Sequence, residues 1–261
     1  MKITIFTGSS YRHKFLVNSL TNHKLHVICE DKKNFSFVNS KFFENQKIIS
    51  NYFKKINKSE INLFTKLRLN KKKIFKYKKI KYNSLSSIKL ESLKDYLDSD
   101  LYIVFGSSYI KGPLLNFLVK NKCINIHMGV SPYYRGSNCN FWAIIDQNYN
   151  LVGSTIHRIS KGLDDGDILY HSMVDPIDDP VDYSMAAIKS AVISLSMKIN
   201  DKSIFKLKST KQKKKLEIRY TKNKDLISKL FNLYPKKIKL KKINKKLLIN
   251  PYVLMKKHIY D

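Results

Sequence analysis

CINIHMGVSPYYRGSNCNFWAIIDQNYNLVGSTIHRISKGLDDGDILYH, residues 123–171, decides how this chain is read. Its first five residues have the short β-branched character of a buried strand, which delivers Asn125 and His127 at its C-terminal end. Open α/β sheets bind their ligands at that end. Residues two apart in a strand share a face, so the amide and the imidazole are neighbours. Gly129 and Pro132 mark a loop that runs on through Tyr133, Tyr134, Arg135 and Gly136, and Ser137 or Asn138 suits the cap of a following helix. A second strand over 152–159 leads into the turn Gly162, Leu163, Asp164, Asp165, Gly166, whose glycines permit a sharp bend close to a ligand. If both strand ends lie on one edge, the acidic turn meets His127.

Outward from this stretch, the pattern is that of alternating strands and helices. Residues 2–6 read as a strand, 11–20 as a helix and 25–29 as a second strand, a βαβ opening that implies a parallel, right-handed unit. The intervening Gly8, Ser9, Ser10 turn lacks the spaced glycines of a dinucleotide site, which disfavours a Rossmann oxidoreductase. A strand over 101–105 ends at Gly106, and Pro113 opens a helix after the loop 107–110. Residues 168–174 read as a strand and 181–199 as a helix with Met185, Ile188, Val192, Leu195 and Ile199 on one core-facing stripe. The segment 35–97, rich in lysine and aromatics, reads as an insertion of one or two helices whose aromatics pack on the core edge. Beyond 202 lysine dominates again, with a short helical pattern near 225–233 and a piece at 247–255 able to pair as a strand. The fold class is α/β: a Rossmann-like catalytic domain over 1–202 with a mostly parallel central sheet flanked by helices, and a lysine-rich extension over 203–261.

Composition narrows the function classes. Hydrophobic residues at 43% and aromatics at 12% support a packed core. No run approaches the ~18 apolar residues of a membrane span. The opening MKITIFTGSS is too short in its apolar part for a signal peptide, so a soluble, cytoplasmic protein with no membrane partner is expected. Cys29, Cys123 and Cys139 lack metal-type spacing and are odd in number, so reduced, buried thiols and no metal site are expected. The net charge of +30 is unevenly placed. Residues 98–201 carry eight lysines and arginines against eleven acids, a net of −3, and the excess lies in 32–94 and 202–257. Of the 50 basic residues only five are arginine, a bias that fits solvated positions filled by coding composition; the alternative is an anionic partner such as tRNA.

The order of NIH, a proline loop, YRG and GLDDGDIL resembles the folate-dependent formyltransferases, which include glycinamide ribonucleotide, methionyl-tRNA and sugar N-formyltransferases. The resemblance is densest over 101–174 and implies that family's fold, with 10-formyltetrahydrofolate as formyl donor. It implies a catalytic Asn, His and Asp at Asn125, His127 and Asp164. It also implies one wall of the folate pocket at Phe105, Gly106, Ser107, Ser108 and Tyr109, with further cofactor contacts at Gly129, Val130, Ser131, Pro132 and Gly162. Tyr134 and Arg135 are expected on the acceptor, Arg135 because its planar fork suits a phosphate or carboxylate, with bracing of its own loop as the equal alternative. Residues 128–132, MGVSP, depart from the family's commoner small-Ser-Leu-Leu-Pro pattern. The resemblance further implies a primary amine as acceptor. Methionyl-tRNA formyltransferases carry a larger C-terminal β-barrel than this tail could form, and GSTIH before GLDDGDIL is closer to sugar-type members, so a nucleotide-linked amino sugar is the expected substrate. Methionyl-tRNA is the alternative, followed by hydrolysis of the formyl cofactor or a non-enzymatic RNA-binding role. A homodimer is compatible with the sequence.

The residue types suit that chemistry. An amine attacking a formyl carbon generates negative charge on oxygen, and the Asn125 amide and a His127 N–H are donors at suitable spacing to meet it. Asp164 orients the imidazole, and a nearby carboxylate raises a histidine above its usual value of about 6.5. Asp165 and Asp167 compete with Asp164 for this role, and His157, on a strand, reads as packed or hydrogen-bonded.

Overall fold

The structure, a computed structural model, describes residues 1–31, 46–64, 68–225, 233–238 and 252–255. In chain order the elements are β1 (Lys2–Thr7), α1 (Tyr11–Ser19), β2 (Lys24–Asp31), α2 (Gln46–Phe64), β3 (Lys76–Lys81), β4 (Leu101–Phe105) and α3 (Gly112–Lys120). There follow β5 (Ile124–His127), β6 (Tyr134–Gly136), α4 (Cys139–Ile145), β7 (Ser154–Arg158), β8 (Ile168–Val174), α5 (Pro180–Asn200), β9 (Arg219–Thr221) and β10 (Tyr252–Met255).

Eight strands form one sheet in the order β10-β8-β7-β5-β4-β1-β2-β3, and β6 and β9 pair separately. Every neighbour in the large sheet is parallel except β7, which runs antiparallel to both β5 and β8. The central strands are apolar on both faces because helices cover both. In β4, Leu101, Ile103 and Phe105 face a core shared with α1 and α5, while Tyr102 and Val104 face a second core under α3. The stripe expected on α5 is buried along its length. Asp179 caps that helix through Oδ1, which accepts from the N–H groups of Val181 and Asp182 at 2.8 and 3.0 Å.

Two expectations need correction. The segment 35–97 is not purely helical: besides α2 it carries β3, which extends the sheet beyond β2 and is its last strand among the described residues. The strand reads KYKKIK, and its lysines give no apolar alternation from which to recognise it. Phe64 is buried and Tyr52 packs on Phe141 as expected of core aromatics, whereas Phe75 is 55% exposed under the Lys24 ammonium; Phe42 and Phe43 lie outside the described residues.

The extension joins the body through three β pairings, and within its piece at 247–255 a strand pairs as expected. Thr210 bridges Ile168 with two backbone bonds of 2.8 Å, β9 pairs with β6 just after the loop that follows His127, and β10 pairs with β8 as the last strand on that side among the described residues. Of the helical pattern near 225–233 only its ends are described: Asp225, closing the turn Asn223–Asp225, and the exposed Leu233.

Asn138 does precede α4, but in the left-handed conformation and without a side-chain cap; its amide donates instead to Asn223. No helix among the described residues is long and apolar enough to cross a membrane. The three cysteines are buried and free.

Candidate active site

Parallel β4 and β5 end side by side, so Gly106 and His127 stand together at the carboxyl edge of the sheet. Gly106 turns at φ +67°, and a Cβ there would lie 2.1 Å from the His13 ring, so only glycine lets the chain leave β4 in this direction. Residue Glu30, fully buried at the end of β2, then pins the loop: its carboxylate accepts from the Ser108 N–H at 2.5 Å and hydroxyl at 2.7 Å.

The acidic turn arrives by an unexpected route. Antiparallel β7 places Arg158 opposite Ile124 and Thr155 opposite His127, so β7 ends at the foot of β5, not beside His127. The loop 159–167 then folds back along the sheet. Gly166 makes this possible, because a Cβ there would lie 1.8 Å from the Arg158 carbonyl oxygen. Asp164, at φ +50°, ends with Oδ2 3.3 Å from His127 Nδ1 and Oδ1 accepting from Asn125 Nδ2 at 3.2 Å. The Gly136 N–H donates to Oδ2 at 3.2 Å.

His157 completes the network. Register places it directly opposite Asn125. Its Nδ1 lies 2.7 Å from the Arg158 carbonyl, so that nitrogen carries the proton, and Nε2 accepts the second Asn125 N–H at 3.0 Å. Both amide hydrogens of Asn125 are thus engaged within the protein. His127 faces an acceptor at each nitrogen, Asp164 at Nδ1 and the Tyr134 carbonyl at Nε2, 3.0 Å away. One proton satisfies one of them; two satisfy both.

Burial sets the charges. It pulls His127 below the usual histidine value more strongly than Asp164 pulls it up, which reverses the sign expected from the carboxylate alone. Burial pushes Asp164 upward, but His127, His157 and the Gly136 N–H together outweigh it and hold the carboxyl at about 2. The resting site is therefore an ionised Asp164 beside a neutral His127.

These groups open onto a cleft of about 580 Å³. Asn125, His127, His157 and Asp164 line it together with Phe105, Gly106, Ser107, Ser108 and Tyr109 of the loop after β4, and with Gly162. The remaining expected site residues lie elsewhere. Gly129, Val130, Ser131 and Pro132 do not line the cleft: Val130 and Ser131 are fully buried behind His127, the Gly129 carbonyl accepts from Thr155, and a Cβ on Gly129 would strike Cys139. Tyr134 is buried, with its hydroxyl donating to Asp146 and accepting from Asn148. Arg135 donates to the Leu163 carbonyl from Nε and Nη2 and to Glu217 from Nη1, so it braces the acid turn instead of facing an acceptor. For Arg135 this is the bracing alternative that its sequence left open; for Tyr134, residue type does not say which way the side chain points.

A family model described as Formyl transferase matches residues 13–196. A methionyl-tRNA formyltransferase of Desulfotalea psychrophila is 33% identical over 90 residues, which is 34% of this chain; the match spans only 27% of that protein's own length. Among solved structures, the N-formyltransferase from Helicobacter canadensis, in complex with folinic acid and dTDP-3-aminofucose, aligns with a TM-score of 0.52 at 16% identity, covering 89% of this chain and 79% of its own. The phosphoribosylglycinamide formyltransferase of Anaplasma phagocytophilum aligns with a TM-score of 0.54 at 13% identity over 98% of this chain and 99% of its own. At such identities the two structures speak to the fold alone. The family match runs from the first helix to near the end of α5 and takes in six of the eight strands of the main sheet, most of the cleft lining and the acid turn: this chain belongs to the formyl transferases.

Proposed function

We propose that the protein transfers a formyl group from 10-formyltetrahydrofolate to a primary amine carried by a small acceptor. The observation that carries the reading is the connected network of Asn125, His127 and Asp164, open to a cleft that the loop after β4 also lines. That lining fits the donor: Val104, Ile110 and Leu115 offer apolar surface and Ser107 and Ser108 polar groups, the mixture a flat heteroaromatic ring requires. When bound, the donor supplies a formyl carbon to which the amine nitrogen bonds as the bond to N10 breaks, with N10 leaving protonated.

The chain's own residues serve the charges that this exchange creates. Asn125 Nδ2 gives one N–H to a His157 ring nitrogen, and a developing oxyanion is the stronger acceptor, so it captures that N–H. Asp164, ionised at rest, takes the proton that the amine must lose. Its Oδ2 lies 3.3 Å from His127 Nδ1, which holds the proton until N10 takes it up as the bond to the formyl carbon breaks. The imidazolium so formed is satisfied at both nitrogens, by Asp164 and by the Tyr134 carbonyl.

For the acceptor, a nucleotide-linked amino sugar is favoured. The fold alignment with a protein bound to such a compound supports it. Methionyl-tRNA is the second reading, supported by the sequence relative and by lysine-rich flanks. The test is formyl transfer from 10-formyltetrahydrofolate to dTDP-amino sugars, glycinamide ribonucleotide and charged initiator tRNA in parallel. Transfer to the sugar nucleotides is expected. Efficient formylation of tRNA at physiological salt with none of the sugars would overturn the acceptor, and turnover of the donor with no amine formylated would overturn transfer itself.

A further inference from the structure

The acid turn is held from beyond the matched family segment. Gln212 follows the end of that match by 16 positions, yet its Nε2 donates to the carbonyls of both Asp164 and Gly166 at 2.8 Å. The two carbonyls flank Asp165, so a single amide fixes both sides of the bend. Gln212 Oε1 is buried with no hydrogen-bond partner among the described residues, so the side chain is anchored by its donor end alone. The backbone that presents it is fixed in turn by the two-bond bridge between Thr210 and Ile168.

Asp164 needs such a hold. It sits at φ +50°, the left-handed region, which a residue with a side chain keeps only where its surroundings over-determine it. Arg135 restrains the preceding carbonyl, of Leu163, and is itself tied to Glu217 of the same C-terminal segment. Gln212 is the group that restrains the carbonyl of Asp164 itself. We infer that Gln212 is a positioning residue: by clamping the Asp164 and Gly166 carbonyls it aims the Asp164 carboxylate at His127 and Asn125. Its contribution to turnover rests on the formyl-transfer reading; its hold on the carboxylate does not.

The Gly136 N–H, which donates to Asp164 Oδ2, reports the carboxylate's position directly, and the adjacent Ser137 N–H, which donates to the Thr221 carbonyl at 2.8 Å, is an internal control. The experiment is amide hydrogen exchange by NMR on the full chain, with turnover measured alongside. Gln212→Met keeps the length and removes both donors; Gln212→Lys returns donors to the same place. In Gln212→Met, exchange at Gly136 should accelerate by about tenfold while Ser137 holds, and kcat should fall by about tenfold with the donor KM within about twofold. Gln212→Lys should recover most of both. Unchanged protection of Gly136 in Gln212→Met overturns the inference, as does loss at Gly136 and Ser137 together, which marks general loosening. A wild-type chain that formylates nothing would sink the functional reading alone, and the exchange comparison would still decide this one.

Discussion

Asn125 is where the chemistry can be tested one atom group at a time. Its Nδ2 bridges Asp164 and His157, so Asn125→Ala removes the proposed oxyanion donor and one ligand of the carboxylate together. Turnover should drop by about 100-fold with little change in thermal stability, and near wild-type turnover would reject the donor role. A second prediction concerns His171, which is fully buried beside Thr155 and is lowered by burial, and then by His127 and His157, to about 3. The unfolded chain protonates near 6.5 while the folded one does not, so stability present at neutral pH is lost as pH falls from about 6.5 to about 3. One such proton costs about 1.4 kcal/mol per pH unit. His171→Asn should flatten that limb in urea titrations run across the interval; an unchanged slope would show that His171 protonates freely in the fold. At this scale Asn125, His127 and Asp164 were legible because each sits in a short local motif. Gln212 and Glu30 were not, since their partners lie 48 and 78 positions away and neither has a local signal.

Elements were legible where burial imposes a pattern. β1, β4, β8 and α5 announce themselves because both faces of a strand or one stripe of a helix must be apolar. Strand direction carries no such mark: the side-chain alternation of β7 is the same read either way, so its reversal, and the return path of the acid turn, appear only in three dimensions. This return path predicts a contrast between two substitutions. Gly166→Ala drives a methyl into the Arg158 carbonyl and should displace Asp164, abolishing measurable turnover. Asp179→Ala removes the cap of α5 at a distance from the cleft, costing about 1 kcal/mol in denaturation while kcat holds. Equal kinetic damage from both would mean that the turn's geometry is not what limits the reaction.

Across the whole molecule, the division between a catalytic body and an appended tail dissolves. Gln212 and Glu217 brace the acid turn, β9 lines up against the loop after His127, and β10 adds to the sheet. Truncation after residue 202 is therefore expected to cost all detectable turnover and to lower Tm, not to leave a minimal enzyme; an active 1–202 fragment would contradict this. The sequence could not reveal it, because exposed lysines in 203–225 mask the few residues there that touch the body. At the opposite end of the sheet, β3 sets four lysines in six residues along its last described strand. Two copies meeting there would align like charges about 5 Å apart, the spacing of paired strands. Self-association through a continuous sheet is thus repelled, and exchanging Lys78, Lys79 and Lys81 for threonine should bring on concentration-dependent aggregation in sedimentation runs. The lysines that carry no recognisable strand signal are what should keep this last described edge from becoming a template for a polymer of the chain.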